Sequence, residues 1–144
     1  MKASKIIEIL SSLFILLFVY AGLSKLLDYE KFSAQIGQSP MLANIAGVVA
    51  IGVPIVELIV AILLISEHTR RLGLYCALSL MTMFTAYIVF AAWFSDYVPC
   101  SCGGVLEILT WPQHLVFNIA FMLVGIWALS LGNGKRIVNP VDSI

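Results

Sequence analysis

Charge is what this chain has least of. Only 11% of its 144 residues are Asp, Glu, Lys or Arg, whereas 61% are hydrophobic. An ordinary soluble domain carries about a quarter charged residues. Eight positive and eight negative side chains cancel to a net charge of zero, and no basic patch stands out. Nucleic acid is therefore excluded as a partner, because its recognition begins with positive charge. Cysteine is also scarce. There are three, and two of them, Cys100 and Cys102, stand one residue apart.

What fills the chain is long apolar runs, and its mean hydropathy of +1.03 places it in a bilayer. The runs cover about 6–27, 41–66, 72–94 and 112–131. The first is interrupted by Glu8 and Lys25, the second by Glu57 alone, the third by no charge, and the fourth by nothing more than His114. Each approaches the ~20 residues a helix needs to cross a ~30 Å hydrocarbon layer. In lipid a helix also satisfies its own backbone. The expectation is an all-α membrane protein: one integral domain over 1–144, built as a four-transmembrane-helix bundle in contact with membrane lipid.

Lys2, Lys5 and Val19-Tyr20-Ala21 give the first run a look of a signal peptide. Its apolar stretch exceeds the ~7–15 residues usual there, so it reads as a retained helix. Six of the eight Lys and Arg residues (Lys2, Lys5, Arg70, Arg71, Lys135 and Arg136) fall on one side of a four-span topology. Positive residues mark the cytoplasmic side, so both termini are expected there. Ser95 to Trp111, with no Lys or Arg, then faces outward. In a bacterial inner membrane that side is the periplasm, where disulfides persist.

Between the spans, Asp28–Pro40 reads as an outer connector with a short interfacial helix over Tyr29–Ile36 and a break at Ser39-Pro40. Glu67–Arg71 reads as a tight turn that makes its two helices antiparallel neighbours. Gly132-Asn133-Gly134 is expected to end the fourth helix. Gly47, Gly52 and Pro54 are expected to serve close helix packing and a kink.

The Cys100-Ser101-Cys102 pair carries the chemistry. Two thiols at this spacing can close a small strained ring, and strained, exposed disulfides are the labile, oxidising ones. Gly103 and Gly104 supply the backbone freedom for a tight turn. A purely structural staple gains more from closing a longer loop, which favours redox work here. A metal site is disfavoured, because two thiolates are half a zinc set and His114 adds at most a third ligand. Cys76, inside the third span, reads as a small buried apolar residue.

Trp111, His114 and Asn118 fall at i, i+3 and i+7, one stripe beneath the cysteine pair. That stripe could hold a quinone head group or supply a base for a thiol, or it could be an interfacial Trp anchor with a His among the headgroups. Glu57, a carboxylate inside a span, is treated as functional by default, with Tyr20, Thr82 and Thr85 as candidate hydrogen-bond partners. Lys25, with Asp28 at i+3, is expected to snorkel.

The segments "AGLSKLLDYEKF" and "GVPIVELIVAILL", with the Cys-x-Cys-Gly loop followed by "WPQHLVFN", resemble the MauE branch of the DoxX-like membrane proteins over nearly the whole chain. The resemblance implies a multi-pass protein associated with methylamine utilisation. It would support disulfide formation in exported proteins beside a thioredoxin-like periplasmic partner, with Cys100 and Cys102 as the redox pair. Related DoxX proteins are linked to quinone-dependent redox chemistry and sulfur metabolism. Two other classes stay open: a small metal or metalloid transporter that captures its cargo at the cysteines, and a non-catalytic subunit of a larger membrane complex.

Overall fold

The structure, a computed structural model, describes residues 2–94 and 111–138, the side chains of Trp111 and of 134–138 excepted. Every regular element among the described residues is helical: α1 (Lys2–Leu27), α2 (Tyr29–Gly37), a 3₁₀ turn (Ala43–Ile45), α3 (Ala46–Ile65), α4 (Arg70–Phe94) and α5 (Trp111–Val138). Four of them, all but α2 and the 3₁₀ turn, include stretches long and apolar enough to cross a membrane. Such helices are apolar on most sides because lipid replaces water outside the bundle. Leu16, Val48, Ile62 and Leu123 accordingly stand out on the surface.

The four long helices close into a ring, α1 against α3, α3 against α4, α4 against α5, and α5 back against α1. The short connection from Ile65 to Arg70 makes α3 and α4 antiparallel. Thr69 Oγ1 and Arg70 Nε donate to the carbonyls of Leu63 and Leu64, which the end of α3 leaves without helical partners. Each long helix turns one stripe inward. On α1 it is Phe14, Phe18, Ala21, Gly22 and Lys25, and on α3 it is Ala50, Pro54, Glu57, Ala61 and Leu64. This is the 3.6-residue period, with each stripe buried against its neighbours.

Phe14 sits at the middle of the core. Its ring stacks on Phe18 at 6.3 Å and meets Phe121 edge-on at 5.3 Å. Glycine decides how closely the helices approach. A Cβ at Gly22 would lie 3.2 Å from the Pro54 carbonyl, one at Gly125 2.7 Å from Leu78 Cδ2, and one at Gly73 3.0 Å from the Leu64 nitrogen. The glycines singled out from the sequence are not these. Gly52 has nothing within 4 Å and Gly47 only the Tyr29 hydroxyl at 3.8 Å, because both sit off the α3 contact stripe.

At one end of the bundle, α2 lies across the helix ends. Phe32 and Ile36 pack on Ala50, and the Tyr87 hydroxyl donates to Ser39 Oγ at 2.9 Å, fastening the connector after α2 to α4. At the other end, Arg71 donates to Asn133 Oδ1 and ties α4 to α5. The fourth apolar span ends at Asn133, but its helix does not stop at Gly132-Asn133-Gly134 as expected. α5 runs on to Val138, since glycine lowers helix propensity by about 1 kcal/mol without forbidding helical dihedrals.

Candidate functional site

Beneath α2 the bundle interior turns polar. Lys25 Nζ donates to Glu57 Oε1 at 2.5 Å, with the two side chains only 4% and 1% exposed. Lys25 therefore does not snorkel toward Asp28. It belongs to the inward stripe of α1, and the bare face of Gly22 one turn earlier lets α3 bring Glu57 within reach. The expected partners of Glu57 are elsewhere. Thr82 and Thr85 donate to the carbonyls of Leu78 and Met81 in their own helix, and Tyr20 is more than a third exposed. A lone buried charge costs several kcal/mol, so each of these two residues makes the other tolerable. The Lys25 ammonium also lies 5.7 Å from the Phe32 ring centre and 5.1 Å from that of Phe84. Contacts of this type contribute about 0.5–2 kcal/mol each. Through them α1, α2, α3 and α4 all converge on one cation.

His114 and Asn118 are 2% and 4% exposed, and they continue the inward stripe of α5 formed by Phe121, Gly125 and Ala128. Their depth follows from the register at Phe14, which touches α5 between Phe121 and Gly125. At 1.5 Å per residue toward the α2 end, Lys25 lies about 16 Å along α1, His114 about 13 Å and Asn118 about 7 Å along α5. The Lys25 side chain leans back toward the start of its helix, which brings its ammonium toward that depth. Glu57 Oε2 and Asn118 Nδ2 are buried without a hydrogen-bond partner among the described residues. Leaving such a group unsatisfied costs about 1–3 kcal/mol.

His114 and Asn118 share one face of α5, as their spacing implies, and the structure turns that face inward. The side chain of Trp111 lies outside the described residues, as do Cys100 and Cys102, whose segment joins Phe94 to Trp111. Cys76 is half-buried on α4 and packs against the main core, as a small apolar residue does. Lys25 is the site residue that sequence reasoning missed. The available signal was a second charge of opposite sign at the same end of an antiparallel span.

Next to the polar layer, on the outer side of α4 and α5, an open groove of about 450 Å³ is walled by Thr85, Ala86, Val89, Phe90, Trp93 and Met122. With the threonine hydroxyls engaged by their own helix, its lining is apolar.

No curated protein and no solved structure matches this chain significantly. One family model does, over residues 3–131, and its description is methylamine utilisation protein MauE. That span includes nearly all of the four apolar helices, the Lys25–Glu57 pair and the segment bearing Cys100 and Cys102. The chain is a member of the MauE family of membrane proteins.

Proposed function

We propose that this chain is a membrane thiol–disulfide redox protein of the bacterial inner membrane, with both termini cytoplasmic. It exchanges electrons through Cys100 and Cys102 with a thioredoxin-like periplasmic protein, in support of disulfide formation in exported proteins. Family membership links the chain with methylamine utilisation. The observation that carries the finer reading is the Cys-x-Cys pair itself, set between α4 and α5 on the side with no Lys or Arg in its connecting segment.

The exchange balances without further reagents. A thiolate of one protein attacks a disulfide sulfur of the other, a mixed disulfide forms, and the second thiolate of the attacking pair displaces the partner as a dithiol. Two electrons and two protons change hands. A membrane disulfide generator with two exported pairs can face its partner with one and its acceptor with the other. This chain has one such pair, which either does both jobs or relays electrons between the thioredoxin-like protein and another redox carrier.

Removing the resolving cysteine strands the intermediate. One of Cys100→Ser or Cys102→Ser is expected to accumulate a covalent adduct with a soluble thioredoxin-like protein, visible on non-reducing gels and mapped by peptide mass spectrometry. The double variant is expected to accumulate none. If neither single variant traps a partner and exported disulfides form normally in the double variant, the pair is only a staple.

A further inference from the structure

We propose that α2 is a hinged lid over the buried Lys25–Glu57 pair. It lifts while the ring of four long helices stays closed, and lifting lets water reach both charges. None of the cysteine chemistry above enters this inference.

Little holds α2 to the bundle. Of its nine residues, Phe32 and Ile36 are the buried ones, and both pack on Ala50 near the start of α3. The hydrogen bond from the Tyr87 hydroxyl to Ser39 Oγ clasps the connector after α2 to α4. The chain bends at both ends of the short helix. At Asp28 the backbone (φ −104°, ψ 42°) leaves the helical region and separates α2 from α1. After Gly37 it passes through turns before the 3₁₀ turn begins at Ala43. A segment with so few buried apolar contacts opens at a lower free energy than the whole fold.

What lies beneath α2 favours the opening. Phe32 is its contact with the site, the ring lying 5.7 Å from an ammonium whose side chain is 4% exposed. Closed, the site leaves Glu57 Oε2 without a hydrogen-bond partner among the described residues. The Lys25 ammonium has three donors, and one of them is engaged by Glu57 Oε1. Attraction within a buried pair repays little more than the hydration the two charges give up. Water entering under α2 restores that hydration and offsets the exposure of Phe32 and Ile36. The main core around Phe14, Ala61 and Leu64 is apolar and has no such compensation.

The test reads thiol accessibility on the full chain in detergent micelles, with a charged maleimide and peptide mass spectrometry. Ala50→Cys places a thiol against Phe32 and Ile36, and Ala61→Cys places one in the main core of the same helix. Both add one sulfur atom to a fully buried alanine, at 0% and 1% exposure, so each serves as the other's reference. When reclosing outpaces labelling, the rate follows the population of the open state. The Ala50→Cys thiol is expected to label about tenfold faster than the Ala61→Cys thiol, or more. Tyr87→Phe releases the clasp and should raise the ratio of the two rates about two- to tenfold, the scale of one hydrogen bond. Glu57→Gln keeps the Phe32 contact but leaves the ammonium unneutralised, so wetting gains more. The ratio should then rise about tenfold or more.

Equal rates at the two thiols overturn the proposal, because α2 then opens only with the whole bundle. It is equally overturned if Tyr87→Phe leaves the ratio unchanged or lowers it, since the clasp would then not hold a separate unit. An unchanged or lowered ratio in Glu57→Gln overturns it too, because the opening would not reach the pair. These outcomes are independent of mixed-disulfide trapping, whose failure removes the redox reading alone.

Discussion

The Lys25–Glu57 pair gives the sharpest quantitative prediction. Lys25→Met leaves Glu57 in the bundle interior without its counter-charge, and Glu57→Leu does the same to Lys25, which is 4% exposed. Removing one member of a buried pair costs about 3–5 kcal/mol, mostly from the charge left behind. Lys25→Met also loses the contacts with Phe32 and Phe84, about 0.5–2 kcal/mol each. Interhelical hydrogen bonds in membranes average only about 0.6 kcal/mol, so the stranded charge dominates.

The double variant carries no charge, and its two apolar side chains have roughly the volume of the originals. Replacing a buried pair in this way is often neutral or stabilising by about 1–4 kcal/mol. The double variant is therefore expected to lie well above either single variant, with a coupling energy of about 3 kcal/mol or more. The assay is a double-mutant cycle of reversible unfolding in mixed micelles, followed by circular dichroism. Single effects that add within about 0.5 kcal/mol would refute the argument, because independent sites behave that way. So would a Glu57→Leu cost below about 1 kcal/mol, which would place the carboxylate in water.

Further predictions follow from packing and topology. Gly73→Ala should lower stability by about 1–3 kcal/mol in a detergent melt, since its Cβ would meet the α3 backbone at 3.0 Å. Gly52→Ala, with open space around it, should instead be neutral or stabilise by up to about 1 kcal/mol. Gly125→Ala should be partly rescued by Leu78→Ala, because the 2.7 Å contact is with the end of the Leu78 side chain. Tyr87→Phe removes the hydrogen bond to the buried Ser39 hydroxyl. It should cost about 0.5–1.5 kcal/mol and speed hydrogen exchange in α2 more than in α3. After mild reduction, an impermeant thiol reagent should label Cys100 and Cys102 from the periplasmic side while Cys76 stays silent. Labelling of the pair only from the cytoplasm would overturn the topology.

The four spans, the short helix after the first and the antiparallel α3–α4 turn were legible in the sequence. Apolar run length against bilayer thickness is a one-dimensional property, and so is a polar break between runs. That His114 and Asn118 share one helix face was legible too, because a four-residue spacing fixes this whatever the neighbours are; that the face turns inward was not. The cysteine pair was found by its spacing alone, and its chemistry remains a reading of sequence. The partner of Glu57 was not legible. Local spacing coupled Lys25 to Asp28, three residues away, and only the ring order of the helices brings it to Glu57, thirty-two residues on. The glycines that set helix approach were equally hidden. Gly22, Gly73 and Gly125 matter because of what lies opposite them, whereas Gly47 and Gly52 look the same in sequence and face little. Sequence determines how far each helix extends and which face is apolar. Which buried charges meet depends on the rotation and depth of one helix against another, and in this chain the close approach at Gly22 sets both.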